Sequence, residues 1–247
     1  MRSVVIIPAR FTSTRLPGKP LLDICGKPMV WWVYHNVLSS KKANEICIAT
    51  DDQKIFDVCK NYKMNVIMTK TTHPTAIHRL HEVAQYYDAD LYIQINGDEP
   101  LLKAKNIDSF LKWSSSLSPS ILKKPCGINA ISKIDSPVEL MDVANIKMTF
   151  DSEYRCTYMS RAPIPFPYKS LNCTYYKHIG IIGYTRKMLD FFVSSVPGYF
   201  EKIEGIDLLR FVDYGKPLYL HEIKECCSLS VDTEKDLEEV RIRIGKN

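Results

Sequence analysis

The 247-residue sequence lacks an apolar run long enough to cross a membrane, so we expect no membrane partner. Its first apolar run, Val4–Ile7, stops at Pro8 and is too short for the core of a secretion signal. The eight cysteines lack C-x-x-C spacing, which argues against a zinc ribbon or a thioredoxin-like motif. A chain of this size can bury enough apolar surface without disulfides or a structural metal. We therefore expect reduced, packed thiols and a cytoplasmic location.

The sequence also lacks a basic face studded with aromatic residues, which disfavours nucleic acid as a partner. The formal net charge is +5, but lysine and arginine are spread along the chain. Local cationic loops that bind a small anionic substrate explain this distribution better than one long basic stripe does.

The loop after the first predicted strand lacks the glycine-rich pattern that cradles phosphates with backbone N–H groups. This loop, IPARFTSTRLPGKP (residues 7–20), contains a single glycine, Gly18. Its side chains that can bind an anion are Arg10, Ser13, Arg15 and Lys19. Arginine offers a planar fork of donors and lysine a compact charge. A solvated basic loop is the alternative, but this many cations beside a strand end favour a triphosphate or carboxylate site.

Strand and helix patterns alternate in the first half of the chain. Strands are predicted at Val4–Ile7, Glu45–Thr50, Asn65–Thr69 and Leu91–Ile95, and helices at Met29–Leu38, Gln53–Tyr62 and around Arg79–Tyr87. Such alternation is typical of an α/β fold, a doubly wound and mostly parallel sheet covered by helices. We expect a single domain over residues 1–247.

The second half breaks this alternation, and residues 117–139 show few periodic signals. Strands are predicted at Asn145–Phe150, Arg161–Pro167 and Tyr175–Tyr184, and helices around Ile203–Val212 and Glu234–Ile244. The proline-rich stretch indicates an excursion from the main sheet, a small lobe roughly within residues 132–200.

Ligands of doubly wound sheets bind beyond the carboxyl ends of the strands, so residues that follow strands are candidates for chemistry. In NGDEP (96–100), Asp98 either presents a carboxylate to Mg²⁺ or bonds its own backbone in a turn. Asp232 is a second candidate carboxylate, although Asp232 or Thr233 could instead cap the last helix. His178 lies inside an apolar strand and needs a polar partner. Its side chain could therefore serve either as part of the core or as a contact for substrate.

Several motifs resemble, in order, those of the CMP-Kdo synthetases, the 3-deoxy-manno-octulosonate cytidylyltransferases. They are IPARFTSTRLPGKPL, GKPM (26–29), ATDD (49–52), NGDEP (96–100), SRAPIPF (160–166), HIGIIGY (178–184), EKIEGIDLLR (201–210) and VDTEKDLE (231–238). The resemblance extends from about residue 3 to about residue 242. It implies a nucleotide-binding sheet with a small dimerisation lobe, a homodimer, and transfer of CMP from CTP to a sugar acid with release of pyrophosphate.

The resemblance also implies roles for individual residues. Arg10, Arg15, Lys19 and Asp98 would be catalytic. The nucleotide would be bound by Ala9, Arg10, Ser13, Lys19, Thr75, Ala76, Arg79, Asn96 and Asp98. The sugar would be bound by Arg161, His178, Glu201, Glu204 and Asp207, and Mg²⁺ by Asp98 and Asp232. Phosphoryl transfer of this kind depends on positioning and on charge neutralisation.

The chain departs from the family pattern where base and sugar would be recognised. The usual H-x-S-G-T-[DE]-R-L reads HPTAIHRL at residues 73–80, Asn96 replaces a glutamine, Ile182 replaces a common tyrosine, and EKIEGIDLLR ends in LLR where LEQLR is more usual. These departures leave other readings open. The acceptor could be an aminated octulosonate or a sialic-acid-like nonulosonate, or the chain could be a non-catalytic nucleotide-binding paralogue.

Overall fold

The computed structural model describes residues 1–12, 16–224, 226 and 229–246. The strands are β1 (Ser3–Ala9), β2 (Asp23–Ile24), β3 (Lys27–Pro28), β4 (Glu45–Thr50), β5 (Val66–Met68), β6 (Leu91–Ile95), β7 (Gly127–Lys133), β8 (Lys147–Phe150), β9 (Cys156–Ser160), β10 (Tyr176–Tyr184) and β11 (Leu218–Glu222). The helices are α1 (Met29–Leu38), α2 (Gln53–Asn61), α3 (Ala76–Val83), α4 (Ala104–Ser114), α5 (Pro119–Leu122), α6 (Pro137–Met141), α7 (Arg186–Ser194), α8 (Tyr199–Glu204), α9 (Leu209–Asp213) and α10 (Glu234–Gly245). Within these described residues, no helix combines the length and the apolar character needed to cross a membrane.

The main sheet has the strand order β11-β7-β10-β6-β1-β4-β5. Strand β1 is parallel to β4 and β6, β4 is parallel to β5, and β7 is parallel to β11. Strand β10 is inserted antiparallel between β6 and β7. The predicted α/β class and the mostly parallel sheet are confirmed.

The two faces of β1 contact different layers of helices. Val5 and Ile7 belong to one apolar cluster, which contains residues of α1, α2 and α4, while Val4 and Ile6 belong to another, which contains residues of α3 and α7. All four side chains are fully buried. A central parallel strand covered on both sides is continuously apolar, as this run is.

The second half corrects several predicted elements. Residues 161–167 form no strand, since three prolines in this stretch supply no N–H donors for a ladder. The helix predicted at 203–212 is wrong as one element, because α8 ends at Glu204 and is capped by Gly205, whose φ of 64° is left-handed. Helix α9 begins only at Leu209. Strand β7 lies in a stretch without a predicted element, and α3 begins three residues earlier than the predicted helix.

The pair β8–β9 leaves the main strand path, since β8 pairs with β10 and β9 pairs with β8. Together with α6 it lies within residues 132–200, where a small lobe was predicted. Whether this segment is a dimerisation lobe remains a prediction.

Candidate active site

A cavity of about 420 Å³ lies at the carboxyl ends of β1 and β6, and we call it the cation cavity. It is lined by Pro8, Ala9, Arg10, Thr12, Lys19, Pro20, Ala76, Gln94, Asn96, Gly97 and Asp98. The structure thus brings together the residues after two parallel strands and the first turn of α3. Ser13 and Arg15, which were also predicted here, lie outside the described residues.

Lys19 joins two carboxylates that are far apart in the sequence. Its Nζ lies 2.9 Å from Asp98 Oδ2 and 3.1 Å from Asp232 Oδ1. Burial alone would lower the pKa of Lys19, but the charges and hydrogen bonds of Asp98 and then Asp232 offset this effect and raise it. Lys19 is therefore held as an ammonium ion between the two acids.

The backbone explains why these acids meet. Gly97 follows β6 against the first strand, where an added Cβ would lie 2.7 Å from the Pro8 carbonyl oxygen, so a larger residue does not fit. The Val231 N–H donates to the Asp98 carbonyl oxygen at 2.9 Å and brings the C-terminal segment to this loop. The cap of α10 is Thr233, whose Oγ1 accepts from the Asp236 N–H, and the Asp232 carboxylate faces Lys19 instead.

A second cavity, of about 200 Å³, adjoins the first, and we call it the histidine cavity. It shares Ala76, Gln94 and Asn96 with the cation cavity and adds Ile77, Ile146, His178, Ile182, Tyr184, Gly205, Ile206, Asp207 and Leu208. Because β10 is antiparallel to β6 and Ile181 pairs with Ile95, the first residues of β10 extend past the end of β6. This geometry brings His178 to the same edge as Asn96.

The protonation state of His178 is defined by its neighbours. The Asn129 amide nitrogen donates to three backbone carbonyls, so its oxygen is left to accept from His178 Nδ1 at 2.8 Å. Burial lowers the pKa of His178 to about 4. At neutral pH the imidazole is therefore uncharged, carries its proton on Nδ1 and offers Nε2 as an acceptor.

Asp207 contributes a carboxylate to the histidine cavity. Burial raises its pKa most, and the nearby charge of Glu201 adds to this. Arg210, Arg10 and a hydrogen bond from Thr75 act in the opposite direction without cancelling the increase. Arg10 thus acts on both cavities, and its Nη1 also donates to the Pro74 carbonyl oxygen at 3.3 Å.

Other residues expected at the site are engaged elsewhere. Glu201 is buried and accepts from Arg210 Nε at 2.7 Å and from Arg210 Nη2 at 2.5 Å. Arg79 is fully buried, and its guanidinium donates to Asp51 at 2.7 Å and to Thr69. In this structure both side chains make contacts within the fold, and their sugar and nucleotide contacts stay predictions.

Arg161 and Glu204 form a clamp. Glu204 accepts from Ser160 Oγ at 2.7 Å and from the Arg161 N–H at 3.0 Å. The Arg161 side chain donates to the carbonyls of Glu204 and Val143, each at 2.9 Å. The pair fixes the end of β9 to the end of α8, directly before the segment that carries Asp207.

Three site residues were missed from the sequence. Gln94 lines both cavities, Asn129 holds His178, and buried Glu99 accepts from the Gly180 N–H at 2.8 Å. Gln94 and Asn129 are polar residues inside apolar strands, a signal that could have identified them. Glu99 lies in NGDEP, and nothing in that motif distinguishes its carboxylate from an ordinary turn residue.

A mostly parallel α/β sheet whose carboxyl edge gathers cations, two convergent acids and adjoining cavities defines a nucleotide-binding enzyme. Residues 4–223 match the family described as cytidylyltransferase, and the chain belongs to this family of nucleotidyltransferases.

Relatives and solved structures agree with this family. A 3-deoxy-manno-octulosonate cytidylyltransferase of Aliivibrio fischeri is 37% identical over all of both chains. One from Escherichia coli is 32% identical over 97% of this chain and 95% of its own. A solved CMP:2-keto-3-deoxy-manno-octonic acid synthetase complexed with CTP covers 100% of this chain and 99% of its own, with 32% identity and a TM-score of 0.90.

Proposed function

We propose that this protein transfers CMP from CTP to a 3-deoxy-manno-octulosonate-like sugar acid and releases pyrophosphate, in the synthesis of a bacterial surface polysaccharide. The observation that carries the proposal is the pair of adjoining cavities, one lined by Arg10 and Lys19 and the other by His178 and Asp207. A triphosphate suits the first, and a polyhydroxylated acid suits the second. The names of the full-length relatives favour this acceptor over an aminated octulosonate or a nonulosonate.

In the proposed reaction the oxygen of the anomeric hydroxyl of the sugar acid forms a bond to the α-phosphorus of CTP, and the bond from that phosphorus to the pyrophosphate oxygen breaks. The hydroxyl proton leaves with the released pyrophosphate. Lys19 and Arg10 bind the triphosphate and offset its charge. His178 accepts a hydrogen bond from a sugar hydroxyl at Nε2, and Asp207 accepts another. Catalysis then consists of alignment and charge neutralisation, without a covalent intermediate.

Magnesium is part of the proposal, and the donor set fits it. Two carboxylates, Asp98 and Asp232, converge on one cationic group, and Mg²⁺ takes one or two protein carboxylates together with phosphate oxygens. When bound there, the ion would supply charge neutralisation at the phosphates. Lys19 would then exchange its carboxylate contacts for phosphate oxygens.

We also propose a homodimer formed through the predicted lobe. Large apolar side chains are exposed along this part of the chain, namely Val138, Met141, Val143, Phe166, Tyr168, Leu171, Val196 and Tyr199. Exposed apolar surface of this kind marks interfaces. Sedimentation of the wild type and of a Tyr168→Asp/Leu171→Asp variant tests the proposal, and a wild type that sediments as a monomer at micromolar concentration would reject it.

A cytoplasmic location completes the proposal. Burial raises the pKa of the Cys47, Cys59 and Cys126 thiols to about 12, so these unpaired thiols resist oxidation and suit a reducing compartment.

The reaction is tested by measuring pyrophosphate release with each of the four nucleoside triphosphates against a panel of keto-deoxy sugar acids, with and without Mg²⁺. We expect turnover with CTP and the octulosonate that stops on chelation. Faster turnover with a nonulosonate would identify a different acceptor. Tight CTP binding without turnover on any acid would show a non-catalytic protein.

A further inference from the structure

Gln94 is a buried polar residue in the middle of an apolar sheet. It is 6% exposed and pairs in register with Ile6 of β1 and with Ile182 of β10. An amide in such surroundings is costly unless both of its ends are hydrogen-bonded. Gln94 Nε2 donates to Asn96 Oδ1 at 2.8 Å, and Gln94 Oε1 accepts from the Tyr184 hydroxyl at 3.4 Å.

This chain of contacts determines which way the Asn96 amide points. Its oxygen accepts from Gln94, so its nitrogen faces away from Gln94. A Cβ added to Gly180 would lie 2.6 Å from Asn96 Nδ2 and 2.1 Å from Glu99 Oε1, which places the amide nitrogen near a carboxylate oxygen. An amide donor beside a carboxylate is the favourable arrangement, so neighbours on two sides agree on the orientation.

Asn96 lies where the two cavities join, since it lines both of them. His178 lines the histidine cavity together with Asn96, and its bond to Asn129 through Nδ1 leaves Nε2 as an acceptor. A sugar acid suits such a pair, because its carboxylate accepts hydrogen bonds from the donor and its hydroxyl groups donate to the acceptor.

We propose that Gln94 is a positioning residue that holds the Asn96 amide with its oxygen toward Gln94, so that one N–H faces Glu99 and the other is left to bind an acidic oxygen of the sugar acid at the junction of the cavities. This inference rests on the proposed function and deepens it. It also explains how asparagine can replace the family's usual glutamine at position 96. The asparagine side chain is one methylene shorter, but Gln94, two residues earlier, holds its amide in place.

The test is steady-state kinetics of Gln94→Leu, with CTP and the octulosonate varied in turn. We expect the KM for the sugar acid to rise about tenfold, the loss expected when one hydrogen bond to a charged group is weakened. The KM for CTP should change by less than about twofold, and the Tm by no more than a few degrees. Gln94→Glu should be at least as damaging, because a carboxylate accepts from Asn96 and turns the asparagine oxygen toward the substrate.

A double-mutant cycle separates positioning from direct contact. If Gln94 acts through Asn96, Gln94→Leu adds little to Asn96→Ala, whereas additive losses would overturn the inference. Tyr184→Phe, which removes the hydroxyl behind Gln94, should raise the same KM by about twofold and serves if Gln94→Leu does not fold. Gln53→Leu is the matched control, since it removes an exposed glutamine amide that bonds Asp57 on α2.

Failure of the inference and failure of the proposed function have different signatures. A wild type that turns over no sugar acid overturns the proposed function and this inference with it. An active wild type overturns the inference alone if Gln94→Leu keeps its KM, or if both KM values rise in parallel with a falling Tm.

Discussion

The two cavities are built in different ways. The charged side chains that line the cation cavity, Arg10, Lys19 and Asp98, come from loops that follow parallel strands. Those of its acid–lysine cluster stay partly exposed, at 14% for Lys19, 28% for Asp98 and 20% for Asp232. The histidine cavity instead depends on buried supports, such as Asn129 behind His178 and the Glu201–Arg210 pair, which is 8% and 3% exposed. We infer that the first region is organised to exchange partners and the second to hold a fixed shape.

The difference predicts where a substitution damages activity and where it damages folding. Partly exposed charges contribute little to the free energy of unfolding. A buried ion pair that loses one partner leaves an uncompensated charge. Substitutions in the cation cavity should therefore reduce turnover, and substitutions among the buried supports should reduce stability.

The largest effect is expected for Asp98→Asn. It removes a carboxylate that faces Lys19 and would bind the metal, and the loss of several kcal/mol of charge stabilisation corresponds to a turnover reduced by about a thousandfold or more. The Tm should change by only a few degrees, because the carboxylate lies on a loop. Pyrophosphate release and thermal unfolding measure the two effects.

Asp88→Asn is the control for that variant, since Asp88 is exposed and precedes β6 at the opposite edge of the sheet. It should leave both quantities unchanged. Activity of Asp98→Asn within tenfold of wild type would show that Asp98 is no metal ligand.

The next effect concerns folding. Arg210→Met leaves the Glu201 carboxylate buried without its guanidinium and should lower the free energy of unfolding by about 3 to 5 kcal/mol. That corresponds to a fall in Tm of about 10 °C. Turnover per folded molecule at low temperature should change far less than in Asp98→Asn.

A matched surface pair provides the comparison for Arg210→Met. Arg243 bonds Glu239 at 2.7 Å on α10 but is 47% exposed, so Arg243→Ala should cost under about 0.5 kcal/mol. If Arg210→Met abolished turnover while the Tm held, the Glu201–Arg210 pair would belong to the site and its assignment as a structural support would be wrong.

The same contrast explains what the sequence could predict. The apolar runs of β1, β4 and β6 and the polar residues after them follow from one rule on parallel sheets, so the meeting of Arg10, Lys19 and Asp98 was predictable. The Arg79–Asp51 and Glu201–Arg210 pairs were not, since nothing in local spacing distinguishes an arginine that binds phosphate from one that neutralises a buried acid. The β7 strand was missed because its pairing with β10 and β11 overrides a weak local pattern.

His178 provides a pH test of the buried region. The unfolded chain binds a proton on this side chain below pH about 6.5, whereas the folded protein resists until pH about 4. Lowering the pH from about 6.5 to 4 therefore reduces the free energy of unfolding, by up to about 3 kcal/mol at pH 4. His178→Gln should remove this part of the acid sensitivity. Denaturant unfolding of both proteins at pH 7, 5.5 and 4 measures it, and equal losses in the two would mean that His178 is not held neutral.

The smallest effect is expected at Ala76, which begins α3 and lines both cavities. Ala76→Gly removes a methyl group from the wall shared by the cavities where we propose that CTP binds, so the dissociation constant for CTP should fall by about two- to threefold. The stability should fall by less than about 1 kcal/mol, the helix propensity cost of glycine. Isothermal titration with CTP and thermal unfolding measure both, with Ala104→Gly at the first residue of α4 as the control. A weaker affinity for CTP in Ala76→Gly than in this control would show that the methyl group supports the nucleotide, and that the boundary between the two cavities is as rigid as the buried region.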